Sequence, residues 1–70
     1  MSASIGSRIR KARLDLDMSA ERLGALLGVA RATVESWESD RTSPRVTDAE
    51  PLARALKVSA PWLVFGRERA

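Results

Sequence analysis

The chain has 70 residues, and neither cysteine nor histidine is among them. That length allows one small domain, and the composition excludes a disulfide framework, a thiolate metal site and an imidazole base or zinc ligand. Hydrophobic residues at 44% and charged residues at 30% fit a globular chain, while 12 Lys+Arg against 9 Asp+Glu leave a net charge of +3.

Every periodic segment reads as helix. Ile5, Ile9, Ala12 and Leu16 form one stripe of a first helix, with Ser4 as its N-cap and Arg8, Arg10, Lys11 and Asp15 on the other faces. Ser19 caps a second helix, with Glu21 in its first turn, Leu23, Leu26 and Leu27 as its apolar stripe and Gly28 as its terminator. A third helix runs from Ala30 to Trp37 or Glu38, with Ala30, Val34 and Trp37 on one face, and stops at the turn residues Ser39 to Pro44. Thr47 and Glu50 have the spacing of a capping box and open a fourth helix, with Pro51 in its first turn and Leu52, Ala53 and Leu56 as its core face. Ser59 caps a short fifth helix over 60–65, closed by Gly66. The expected domain covers residues 1–66, and 67–70 read as a flexible tail or a linker stump.

No strand alternation, repeat or low-complexity tract interrupts this pattern, so the fold class is all-α, with five short helices. Helices two and three are separated by a three-residue turn holding a glycine, the spacing of a helix-turn-helix. A steep crossing needs small residues at the contact, here Gly24 and Gly28. It also needs apolar anchors on both sides, here Leu23, Leu27, Val29, Val34 and Trp37. A plain helical hairpin has the same requirements, so spacing alone leaves DNA binding and simple packing open.

Charge adds a lean toward nucleic acid. Ten of the twelve cations are arginine, whose planar fork grips phosphates and guanine edges in pairs. An Arg-preferring codon usage explains the same ratio. The start of the chain passes from Met1 through Ile5 and Gly6 straight into Arg8-Ile9-Arg10-Lys11, leaving no apolar segment for export. No run approaches the roughly 18 apolar residues of a membrane span. The expectation is a cytoplasmic protein with no membrane partner, no metal and no cofactor.

Particular residues go further. Ile5-Gly6, Arg8-Ile9-Arg10, Arg13, Met18-Ser19, Glu21, Leu23, Leu26-Leu27-Gly28-Val29, Arg31, Thr33-Val34, Trp37-Glu38, Pro44, Leu52 to Leu56, Val58-Ser59 and Trp62-Leu63 resemble the lambda-repressor and Cro (XRE-type) family of DNA-binding proteins. The resemblance runs from residue 5 to residue 66 in register and without gaps. It implies a five-helix lambda-repressor-like domain whose third helix enters the major groove while the second crosses the backbone. The family commonly works as a homodimer on double-stranded operators with two-fold symmetry.

Helical geometry sorts the side chains of that third helix. Val34, Trp37 and Ala30 cluster inward; Ala32, Glu35, Ser36 and Ser39 point outward, and Arg31 flanks the N-terminus. Arg31 is the first choice for a guanine contact, with a phosphate contact as the alternative. Ala32 suits a thymine methyl, and Ser36 either donates or accepts. Glu35 either accepts from a cytosine amino group or pairs with Arg31 four residues back. Ser19, Thr33 and Ser39 are phosphate candidates at helix ends, joined by Arg41, Arg45 and Arg10, although solvated charge is the default reading for Arg10. The resemblance implies a structural ion pair between Arg13 and Glu38, which takes Arg13 away from DNA.

Three positions depart from the family pattern. Ala20 replaces a glutamine that anchors a phosphate and braces the recognition helix. Asp40 stands where glycine or asparagine is usual in a left-handed turn and brings a charge unhelpful near phosphate, and Asp17 takes the place of another turn glycine. These suggest modest affinity for one half-site and a need for pairing. Val46, Trp62, Val64 and Phe65 supply a candidate dimer patch, with core packing as the other reading of Trp62. The leading expectation is a transcriptional regulator with no enzymatic activity. An antitoxin or adaptor that holds a toxin, antirepressor or RNA polymerase is a second reading, and the amino-terminal part of a larger repressor a third.

Overall fold

Five α-helices and one short 3₁₀ turn follow one another in a computed structural model that describes residues 4–67. The helices are α1 (Ile5–Asp15), α2 (Ala20–Leu27), α3 (Arg31–Glu38), α4 (Ala49–Leu56) and α5 (Ala60–Phe65). The 3₁₀ turn spans Val46–Asp48, and no strand occurs among the described residues. Of the tail expected at 67–70, only Arg67 is among the described residues; its guanidinium lies 5.7 Å from the centre of the Phe65 ring.

Local chemistry sets the helix starts. Ser4, Ser19 and Ser59 each accept a hydrogen bond from the backbone N–H three residues on, at 3.1, 2.9 and 3.2 Å. Each bond satisfies a donor that the first turn leaves without a helical partner. The box expected between Thr47 and Glu50 does not form; half of such an arrangement occurs two residues earlier. Residues 46–48 tighten into the 3₁₀ turn, and the Asp48 carboxylate reaches back to the Arg45 N–H at 2.9 Å. Thr47 consequently does not cap α4.

The helix ends share one device. α1, α2, α3 and α4 are each followed by a residue in left-handed backbone geometry: Asp17, Gly28, Asp40 and Lys57, with φ of 52°, 73°, 62° and 60°. In each case the next N–H turns back to the carbonyl five residues earlier: Met18 to Arg13, Val29 to Gly24, Arg41 to Ser36 and Val58 to Ala53. This is the Schellman arrangement, and only one of the four positions is glycine.

The core is Ile9, Ala12, Leu23, Val34, Trp37, Leu52, Ala53, Leu56 and Leu63. Burying each of the larger side chains contributes about 1.5–3 kcal/mol. α2 packs chiefly on α3, α1 bridges α3 and α5, and α4 closes against α5 and α2. The buried stripes are narrower than the apolar pattern of the sequence. Leu16 and Leu26 sit at its edges and are exposed, and Ala30 is an exposed N-cap rather than a core residue. In helices of eight to eleven residues, a position one step off the stripe has no neighbour left to cover it.

Candidate nucleic-acid interface

Gly24 decides how closely α2 and α3 meet. A Cβ there would lie 2.6 Å from the Val29 carbonyl oxygen, so any side chain would push the turn away. Leu23, Val34 and Trp37 close the crossing from within, with Leu27 and Val29 half-buried against them. The α3 residues Arg31, Ala32 and Glu35 are thereby left exposed, together with Ser39 just past its end.

A bidentate ion pair fixes α3 against α1. Arg13 donates from Nε to Glu38 Oε2 at 2.6 Å and from Nη2 to Oε1 at 2.9 Å, and its Nη1 donates to the Met18 carbonyl at 2.8 Å. Both side chains are almost covered, at 10% and 6% exposure. The hydrogen bond that Arg13 donates to Glu38 raises the Arg13 pKa above its ordinary value; burial opposes this, and the charges of Glu38 and Glu35 add to it. Arg10 stands 3.9 Å from the same carboxylate, so this expected phosphate ligand leans on Glu38 as well.

The outward face has its own order. Arg31 Nε donates to Glu35 Oε2 at 2.9 Å, across one turn of the helix. That hydrogen bond and the Glu35 charge, with a smaller contribution from Glu21, raise the Arg31 pKa, so the guanidinium remains charged. Ser36 is less open than its helical position suggests. It is half-buried, and its hydroxyl accepts from Thr42 Oγ1 at 3.1 Å while its carbonyl accepts from Ser39 Oγ at 3.2 Å.

Thr33 is half-buried at the start of α3, and the Ser19 hydroxyl oxygen already serves as the cap of α2. Arg41 is exposed and makes no ion pair among the described residues. Arg45, also exposed, lies 3.7 Å from Asp48.

Val46, Val64 and Phe65 come together. They line a groove of about 440 Å³, together with residues that include Ile5, Pro44 and Pro61. Val46 is 92% exposed and Phe65 70%. Trp62, grouped with them in the sequence reading, lines a different cleft with Leu16, Leu56, Lys57 and Val58. Two residues along a helix turn the direction by about 200°, which carries Trp62 away from Val64.

Sequence reasoning missed Arg8, assigned only to a solvated face of α1. Its Nε and Nη2 donate to the Leu63 and Val64 carbonyls at 2.8 and 2.9 Å, satisfying acceptors at the end of α5. No local signal announces such a contact across more than fifty residues.

A small all-α domain with a tight α2–α3 crossing and an exposed outer face on α3 is a helix-turn-helix domain. The chain belongs to the helix-turn-helix family, whose sequence profile matches residues 9–63.

It is similar to the HTH-type transcriptional regulator DicA of Escherichia coli (strain K12), with 31% identity over 65 residues. The match takes in 93% of this chain and 48% of that protein, so the chain spans about half the length of this curated relative. The crystal structure of the P22 c2 repressor protein with synthetic operator 9T superposes with a TM-score of 0.88 at 30% identity, covering 94% of this chain and all of the other. The solution structure of the P22 c2 repressor DNA-binding domain gives 0.84 at 30% identity, over 90% of this chain and 83% of that domain. FeII HppE in complex with substrate matches with a TM-score of 0.79 at 25% identity, over 91% of this chain but only 36% of that longer protein. The all-α, lambda-repressor-like fold expected from the sequence is therefore the fold found. Among the described residues no helix is long and apolar enough to cross a membrane.

Proposed function

We propose that this chain regulates transcription by binding a palindromic operator as a homodimer, with α3 in the major groove and without catalysing a reaction. The observation that carries the reading is the superposition on an operator-bound repressor over 94% of the chain. The exposed row Arg31, Ala32 and Glu35 supplies its base-reading side, with Ser36 at the margin because its hydroxyl is engaged by Thr42. Arg41 is the strongest phosphate ligand, since no carboxylate competes for it among the described residues. Ser19, Thr33, Ser39 and Arg45 flank it, and Arg10 is a lesser contributor because Glu38 holds part of its charge. The pairing surface is Val46, Val64 and Phe65. The site of action is the cytoplasm, where bacterial operators lie.

Fluorescence anisotropy on a palindromic duplex, titrated against salt, tests the reading. Half-sites about 34 Å apart and an affinity falling steeply with salt are expected. Sedimentation should show Val46→Glu and Phe65→Glu weakening the dimer with the helical content unchanged. Equal affinity for random duplex overturns operator recognition. The apolar groove favours one further reading, an adaptor that seats a different protein there; a stable monomer on operator DNA would support it.

A further inference from the structure

We infer that Glu35 is a positioning residue: it buttresses Arg31 at Nε so that the two terminal amino groups of Arg31 face a guanine in each half-site. This rests on the reading above that α3 enters the major groove. An arginine has two usable edges, one made of Nε and one Nη, the other of both Nη groups. With Nε donating to Glu35 Oε2 at 2.9 Å, the end-on pair is the edge left for a ligand. Two parallel N–H donors match the O6 and N7 acceptors of guanine, whereas adenine sets an amino donor against one of them.

Three further observations favour a base over a phosphate. Arg31 is the first residue of α3, the end of a recognition helix that contacts base edges. Ala32 beside it carries only a methyl group and leaves the approach open. Glu35 offsets the guanidinium charge, which weakens a purely electrostatic phosphate contact yet leaves the directional fork intact; Glu21 adds to this from α2. The same carboxylate disfavours any pose that brings it against the DNA backbone. A buttressed arginine therefore trades general affinity for discrimination.

The test is selection of binding sites by the full chain from a random duplex library, followed by competition on the selected site with each base substituted in turn. A conserved guanine should lose its preference over adenine by about ten-fold or more in Arg31→Ala. Glu35→Ala should lose most of that preference at the same position, while affinity for random duplex rises because a negative charge has gone. Glu35→Gln, which keeps an amide oxygen for Nε, should retain most of it. The salt slope should stay the same in Arg31→Ala; a slope reduced by about one would make Arg31 a phosphate ligand and overturn the inference. So would a guanine preference unchanged in Glu35→Ala. Failure to select any motif would overturn operator recognition itself, a result distinct from a motif insensitive to Glu35.

Discussion

The Asp40 carboxylate accepts a hydrogen bond from the Gly6 N–H at 3.2 Å, joining positions 34 apart in the chain. Gly6 is in the first turn of α1, where N–H groups have no helical acceptor and negative charge is favoured. A Cβ on Gly6 would meet Asp40 Oδ1 at 2.6 Å and the Glu38 carbonyl oxygen at 2.8 Å, so the approach requires glycine. The charge that looked misplaced beside DNA is aimed into the fold. Asp40→Ala should lower stability by about 1–2 kcal/mol, since the bond is lost and a Cβ remains in left-handed geometry. Asp40→Asn should keep most of the contact. Urea midpoints decide, and an Asp40→Ala midpoint equal to wild type would show that the contact contributes nothing.

Removing one partner of the Arg13–Glu38 pair leaves a covered charge alone. Glu38→Ala and Arg13→Ala should each cost about 3 kcal/mol, much of the roughly 3–5 kcal/mol a domain of this size holds. The double variant should cost less than the two single losses added together. Because the folded Arg13 pKa is raised, its contribution is complete at every pH below the ordinary arginine value and is lost only in strong alkali. Thermal melts across the neutral range should therefore show no pH dependence from this residue.

Arg8 ties α1 to the last turn of α5 through the Leu63 and Val64 carbonyls. Arg8→Leu keeps apolar bulk and deletes the donors, and should cost about 2 kcal/mol. If α5 carries the pairing surface, the same variant should weaken the dimer more than it weakens the fold. Sedimentation at a temperature where circular dichroism shows the helices intact separates the two effects.

Lys57 holds φ of 60° at the end of α4 with an exposed side chain that makes no ion pair among the described residues. Glycine removes a left-handed penalty of about 1–2 kcal/mol but loosens the unfolded chain by part of that. Lys57→Gly should stabilise by about 0.5–1 kcal/mol and raise Tm by a few degrees. A lower Tm would mean that the lysine stem packs favourably on its neighbours.

Much of the fold was legible because it is local. Ser4, Ser19 and Ser59 cap the helices that their positions announce, and Gly28 ends α2 as a glycine in that place should. Asp40 takes the left-handed geometry expected of its turn, and Asp17 takes it as well. Errors gathered where neighbours decide. The box at Thr47 is absent because a 3₁₀ turn shortened the entry to α4 and put Asp48 in reach of the Arg45 N–H instead, and Ala30 became a cap because the inward face begins later. Glu35 had two readings in the sequence, a base contact and a pair with Arg31; the pair is formed, and the base contact is a matter for DNA.

Length and composition by themselves determined a small domain without thiol or imidazole chemistry, and periodicity determined five helices with a helix-turn-helix at their centre. Those are properties of each segment alone: which residues repeat, which cap, which break. Only the tertiary structure decided how the charge is used. Among the 12 Lys+Arg and 9 Asp+Glu, Arg8 closes α5 and Asp40 faces α1, contacts that no segment announces. The Arg13–Glu38 pair that the resemblance implied and one of the two readings of Glu35, its pair with Arg31, are formed, and Arg41 is left exposed beyond the end of α3. A count of charges fixes their sum, but the work each one does depends on which partner the fold brings within about 3 Å.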